Sequence, residues 1–194
     1  MESEPNTILL LGRPGSGKGT QTKILSQALG WKTLSSGDRF KEIRDGEGAL
    51  SERVRATYDA GRLLPDWLPM YLLEEALLNM EDSESIVVEG FGRTKSQAET
   101  IERVLAWLGR RFVVISLDVS EQEAMRRMLE RAKSEHRPDS DVEEKIRERF
   151  DEFRNNTEPA LDYFKSVGKL LIVNGEQAPE RVAHDIQTAL NLTK

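Results

Sequence analysis

The sequence predicts an α/β protein: one domain over residues 1–194, in three layers, with a central five-stranded parallel sheet between helices. Three observations carry this expectation. Apolar strand-like runs alternate with amphipathic helical patterns along the chain. Runs such as Ile86-Val87-Val88 and Phe112-Val113-Val114-Ile115 lack polar alternation, as central parallel strands covered on both faces do. The first apolar run passes directly into Gly12-Arg13-Pro14-Gly15-Ser16-Gly17-Lys18-Gly19-Thr20, a glycine-rich loop that opens a helical pattern.

Taken in order, the first strand is Thr7–Leu11, and the helix after the loop shows an apolar face at Ile24, Leu25, Ala28 and Leu29. A short second strand, Thr33–Ser35, is followed by about fifty residues, Ser36 to Glu84, before the third. These are too many for one crossover helix and hold several helical patterns, so residues 36–67 are expected to form an inserted helical subdomain. The third strand is Ser85–Glu89, and the next helix faces inward through Ala98, Ile101, Val104, Leu105 and Leu108. A fourth strand, Arg111–Val119, leads into a helix beginning near Ser120. Residues 132–141 are polar and charged, separate that helix from a long pattern over Val142 to Phe164, and are expected to form a short mobile lid. Pro159 should break or kink the long pattern near Thr157-Glu158, because proline lacks an N–H and crowds the preceding turn. A fifth strand, Lys169–Val173, and a helix with an inward face at Val182, Ala183, Ile186, Ala189 and Leu190 complete the domain.

Composition narrows the function. Lys plus Arg number 28 against 34 Asp plus Glu, a net charge of −6, which argues against a nucleic-acid or anionic-membrane surface. There is no cysteine, so neither a disulfide framework nor a thiolate zinc site is possible. His136 and His184 are too few for zinc without carboxylate help, and a hard cation is the expected metal. The acidic N-terminus and the lack of any apolar run near the roughly 18 residues of a membrane span predict a soluble, cytoplasmic protein.

The glycine-rich loop fits the G-x-x-x-x-G-K spacing of a phosphate-binding loop, or P-loop, from Gly12 to Gly17-Lys18. Glycines let the backbone turn tightly and aim several N–H groups into one cavity, where a helix N-terminus adds positive potential suited to oligophosphate. Gly15, Ser16, Gly17, Lys18, Gly19 and Thr20 are therefore the expected triphosphate-binding residues, with Lys18 as the mobile cation. The residue after Lys18 is Gly19, and the hydroxyl comes one position later, at Thr20.

Four further segments follow in order: Leu34 to Lys41 (LSSGDRFK), Gly61 to Asp66 (GRLLPD), Val88 to Glu99 (VEGFGRTKSQAE), and the arginines Arg127, Arg131, Arg137 and Arg149. With the loop, they resemble the successive signatures of the adenylate kinase family and its nucleoside monophosphate kinase relatives, over nearly the whole chain. The short 132–141 segment has no cysteine tetrad and resembles the short-lid branch.

The resemblance implies a role for each segment. Ser36 and Lys41 stand near the acceptor nucleotide and its phosphate, with Ser36 in place of the family's threonine and Lys41 in place of its arginine; lysine gives a point charge where arginine grips bidentately. Leu63 and Leu64 flank the acceptor base, Gly90 and Arg93 meet its phosphate, and Gln97 presents a donor and an acceptor to an adenine edge. Gly92 stands where the family has proline, which frees the backbone beside Arg93. Glu89, where aspartate is usual, ends a strand at the carboxyl edge of the sheet; with Asp38 it is expected to hold magnesium through water. Asp38 reads equally as a helix N-cap. Arg127 also touches ATP, and Lys18, Arg93, Arg127, Arg131, Arg137 and Arg149 form the catalytic cation set, because phosphoryl transfer rests on positioning and charge stabilisation.

The implied activity is reversible, magnesium-dependent phosphoryl transfer from ATP to AMP giving two ADP, by a monomer whose partners are small nucleotides, without zinc, nucleic acid or membrane. Two alternatives stand beside it. One is a kinase of UMP, CMP or broader acceptor preference; Ser36 and Gln97 favour AMP over these. The other is a non-catalytic nucleotide-binding module, suggested by the departures at Lys41, Glu89 and Gly92 and opposed by Lys18 and the full arginine set.

Overall fold

A computed structural model describes residues 4–59, 62–134 and 142–192. Five strands form one parallel sheet in the order β2-β3-β1-β4-β5: β1 (Thr7–Leu11), β2 (Lys32–Ser35), β3 (Ile86–Glu89), β4 (Phe112–Asp118) and β5 (Leu170–Asn174). Each lies within one residue of its sequence-based expectation. β1 is central, with β3 on one side and β4 on the other, so the loop that follows it emerges where the chain's winding reverses. Open parallel sheets bind their ligands at that point.

Alternate residues of the central strand explain the three layers. Leu9 and Leu11 join one buried cluster with Val88, Val114, Ala98, Ile101, Leu105 and Phe164, beneath α4 (Trp67–Leu78), α5 (Lys95–Trp107) and α8 (Glu158–Ser166). Ile8 and Leu10 point the other way, into a cluster with Leu25 of α1 (Lys18–Leu29) and Val182, Ala183 and Ile186 of α9 (Pro179–Ala189). Period-two alternation thus feeds both faces, and both must be apolar. Ala28 and Ala189, expected in the core, are exposed. Both sit at the rim of an otherwise correct helical face, where the stripe turns toward water.

Between β2 and β3 the chain forms α2 (Ser36–Asp45), α3 (Ala49–Tyr58) and α4. α4 buries Leu68, Leu72, Leu73 and Leu77 in the first cluster as the crossover helix, and α2 and α3 precede it. α6 (Glu121–Ser134) runs through the first residues of the segment expected as a lid; the rest of it, including Arg137, lies outside the described residues.

Pro159 acts as expected, with a particular local solution. α7 (Glu143–Glu152) passes into a π-helical turn, Phe153–Thr157, and α8 then starts with Pro159 in its first turn. The Glu158 N–H donates to the Phe153 carbonyl five residues back. Widening the helix by one residue absorbs the bond that proline cannot make, and turns of this kind concentrate at functional sites.

Candidate active site

The loop after β1 is held in a specific shape. The Ser16 N–H donates to the Arg13 carbonyl at 3.1 Å, and Gly17, at φ 94°, is the first residue outside α1. Gly15 sits so tightly on α6 that a Cβ there would meet the Ala124 carbonyl oxygen at 2.7 Å, so only glycine lets the loop pack on that helix. α1 has no side-chain cap and no acidic residue in its first turn. Its leading amides therefore keep their positive field for an anion in the cleft.

Lys18 folds back over the loop, its Nζ donating to the carbonyls of Gly12 at 2.8 Å and Arg13 at 3.0 Å. Burial pushes its ammonium down to about 7; Arg93, Arg149 and Arg131 push the same way, and Glu89 opposes them. Three arginines from separate segments therefore act on Lys18, and a polyanion bound among them would return Lys18 to its charged form.

Parallel register brings the carboxylates to the same edge: Glu89 pairs with Leu10 on one side and Ser35 on the other. Ser35 Oγ donates to Glu89 Oε1 at 2.8 Å and accepts from the Asp38 N–H at 3.2 Å. Ser35 is thus the N-cap of α2, which decides against a capping role for Asp38; Asp38 stands in the first turn and lines the cleft with Glu89. Both Glu89 carboxylate oxygens lie 3.7 Å from where a Gly19 Cβ would be, so the carboxylate occupies the space that a hydroxyl side chain at 19 would enter.

The residues around Gly90 form a network. Ser36 is buried, off the cleft wall, and its Oγ donates to the Gly90 carbonyl at 3.0 Å; Arg93 Nε donates to the same oxygen at 2.8 Å. Gln97, 2% exposed, accepts from the Arg93 N–H at 3.0 Å and donates to Asp66 at 2.8 Å. Its amide keeps one N–H and one lone pair beyond these bonds. Thr94 caps α5, accepting from the Gln97 N–H at 3.2 Å while donating to Asp66 at 2.8 Å. Asp66 is a residue that the sequence reading quoted without a role, and it ties the stretch before α4 to α5. Gly92 has φ +74°, and a Cβ there would stand 3.2 Å from Ile101 and 3.3 Å from Phe164. Proline is locked near −65°, so the turn before Arg93 follows a path that proline cannot take. Thr157 in the π turn donates to the Arg93 carbonyl at 3.1 Å, which links that turn to the same residue.

These residues surround one cleft of about 1180 Å³, reached by the loop, Lys41, Leu63, Leu64, Arg93, Gln97, Arg127, Arg131 and Arg149. Arg127 donates to Glu123 at 2.7 Å and to the Gly175 carbonyl at 3.0 Å. Gly61 and Arg137 lie outside the described residues. Sequence reading missed the far wall, where Gly175 to Pro179 and Phe153 border the cleft. The Asn174-Gly175 turn signal and Pro179 at a helix start mark the first, whereas nothing in the local pattern marks Phe153.

A triphosphate-type loop at the switch point of a parallel sheet, faced by arginines across an open cleft, defines a P-loop nucleotide-binding protein. The adenylate kinase family model matches residues 10–169. An adenylate kinase of Thermus thermophilus is 40% identical over 186 residues, 95% of this chain and 97% of the relative. Those of Maricaulis maris and Thermobifida fusca are 37% and 35% identical over 184 residues each, covering 94% of this chain and 97% of theirs. The chain belongs to the adenylate kinase family and is a nucleoside monophosphate kinase, a phosphotransferase. Among the described residues no helix is long and apolar enough to cross a membrane, and no three His, Cys, Asp or Glu side chains group to hold a metal.

Proposed function

We propose that the cleft transfers the terminal phosphoryl group of ATP reversibly to AMP, giving two ADP, with magnesium. The observation that carries this reading is the cation convergence on Lys18, where Arg93, Arg131 and Arg149 all act on a lysine of the phosphate loop. Lys18 and the loop amides hold the ATP phosphates, and Arg127 borders the ATP side. Lys41, Arg93 and Arg149 hold the AMP phosphate, while Arg127, Arg131 and Arg137 steady the transferring group. A phosphate oxygen of AMP attacks the terminal phosphorus; the bond to the bridging oxygen breaks, and its electron pair leaves with ADP. The attacking oxygen is already ionised near neutral pH, so no protein base is needed and the residues contribute position and charge.

Magnesium suits this donor set. The ion keeps most of its waters and takes one or two carboxylates plus substrate phosphates, not a full protein cage. Asp38 and Glu89 line the cleft beside Lys18 and Gly19, and Ser35 orients Glu89. When bound with ATP, the metal supplies charge neutralisation on the phosphates. Residues 36–67 form the acceptor-binding insertion, in which Ser36 sets the floor and Leu63 and Leu64 flank the base; residues 132–141 form the short lid. The enzyme acts as a cytoplasmic monomer on small nucleotides, with no nucleic-acid or membrane partner.

A coupled assay for ADP across AMP, CMP, UMP and GMP, with and without EDTA, tests the proposal. AMP is expected to be preferred and EDTA to abolish turnover. A preference for CMP or UMP overturns the adenylate assignment, and binding of ATP and AMP without ADP formation assigns the chain to non-catalytic modules.

A further inference from the structure

Arg13 belongs to the phosphate loop, yet its side chain does not line the cleft. It packs against α6, α7 and the π turn. Its guanidinium carbon lies 6.0 Å from the ring centre of Phe150 on α7 and 5.5 Å from that of Phe153 in the π turn. The same group pairs with Glu121, at the start of α6, at 3.4 Å, and its side chain is only 18% exposed. Arg154 also pairs with Glu121 and reaches Asp151, so α6, α7 and the π turn meet in one charged and aromatic knot.

The apolar cluster beneath the loop, Val119, Ala124, Met128, Ile146 and Phe150, sets how closely α6 and α7 approach. Such packing is non-directional. A planar guanidinium over two rings while paired to a carboxylate is directional, and lysine does not reproduce its geometry. Two consequences meet at this residue. Its backbone carbonyl receives Lys18 Nζ, and its side chain grips the helices that carry Arg127, Arg131 and Arg149.

We propose that Arg13 is a positioning residue that registers the phosphate loop against α6 and α7, and so sets Lys18 relative to the arginines of those helices. The inference rests on the assignment of these arginines to the reacting phosphates. Its signature is a loss in turnover without a matching loss in nucleotide binding, because misplaced cations weaken the transition state more than the ground state.

The test is steady-state ADP formation by the full chain carrying Arg13→Ala, Arg13→Lys, Phe153→Leu, or Arg13→Ala with Phe153→Leu. Arg13→Ala is expected to lower kcat about tenfold, with KM for ATP and AMP within about twofold of the parent. Arg13→Lys should recover only part of the loss, and Phe153→Leu should add little in the Arg13→Ala background, as partners in one contact do. Unchanged kcat in Arg13→Ala, or losses that multiply in the double variant, overturn the proposal. Should Arg13→Ala not fold, Arg13→Lys and Phe153→Leu decide by the same split of kcat from KM. Arg149→Ala separates the two levels. If it is slow while Arg13→Ala is not, only the positioning role fails; if Arg149→Ala is itself fully active, the arginine assignment fails and takes the positioning role with it.

Discussion

Helix α1 opens at Gly17 with no side-chain cap, whereas α2 and α5 open on Ser35 and Thr94, whose hydroxyls accept from the amides of Asp38 and Gln97. Under the function proposed above, the donor wall on α1 therefore leaves backbone amides for phosphate oxygens, and the acceptor wall on α2 and α5 satisfies its own helix ends internally. On that proposal, recognition of the donor is built into the main chain and one lysine. On the same proposal, acceptor recognition falls to long side chains, Lys41, Arg93 and Arg149, of which Arg93 is held by a network through Gly90, Gln97, Asp66 and Thr157. A backbone site tolerates side-chain change around it, and a side-chain site does not. Three departures from the family pattern, Ser36, Lys41 and Gly92, fall on the side-chain wall, so that is where this chain should differ most from its relatives.

The largest expected effect is on the donor wall. Lys18→Met should lower kcat/KM by about 10³-fold or more, the scale of losing a fixed cation at a transferring phosphoryl group. Melting temperature should not fall with it. Burial holds Lys18 at about 7, well below the ordinary lysine range. The unfolded chain then binds more protons between pH 7 and roughly 10, so nucleotide-free stability rises with pH across that window. Below pH 7 the penalty for the buried charge is fully present, and methionine removes it. A melting temperature lowered as severely as turnover would count against the role given to Lys18.

Next is the acceptor wall, where Arg93→Ala should reduce kcat/KM for AMP by about 10²-fold while leaving the ATP dissociation constant unchanged. An equal loss of ATP affinity, read by calorimetry, would erase the distinction between the walls. Gly92→Ala should act more mildly. The φ of +74° and the contacts near 3.2 Å predict a loss of about 1–3 kcal/mol in urea unfolding and a raised KM for AMP alone. If KM for AMP stays unchanged, the turn does not set the position of Arg93. The smallest effect is a proton. ATP binding at pH 8 should take up roughly one proton, seen as a dependence of the binding heat on buffer ionisation, because phosphate restores the charge on Lys18. Lys18→Met should abolish that dependence, and AMP should elicit less of it.

Much of this arrangement is legible in the chain itself. The five strands follow from unalternated apolar runs, and Pro159 marks a break that the structure resolves into a π turn. The donor loop is readable because its chemistry is local: glycines, lysine and helix start within a single stretch. The acceptor wall is readable only as an ordered set of motifs, since its members lie far apart in sequence. Ser36 shows the difference: the motif places it beside the nucleotide, yet its hydroxyl is turned to Gly90 beneath the cleft, a contact set by the pairing of β2 with β3. Asp38 shows it again, because the cap of α2 went to Ser35, which strand register had already placed beside Glu89.

The sequence by itself determined the layer order, the phosphate loop and the types of charge that the reaction needs, because periodicity and tight-turn chemistry act over a few residues. Tertiary structure alone decided which charges meet. Burial depresses the pKa of Lys18, and three arginines from α6, α7 and the turn after β3 push it the same way. The bonds from Thr94 and Gln97 to Asp66, and the grip of Arg13 on Phe150, Phe153 and Glu121, join residues that no local pattern relates. Such contacts are set by the closure of long loops around a common sheet edge, and their energies depend on distances that only the folded chain defines.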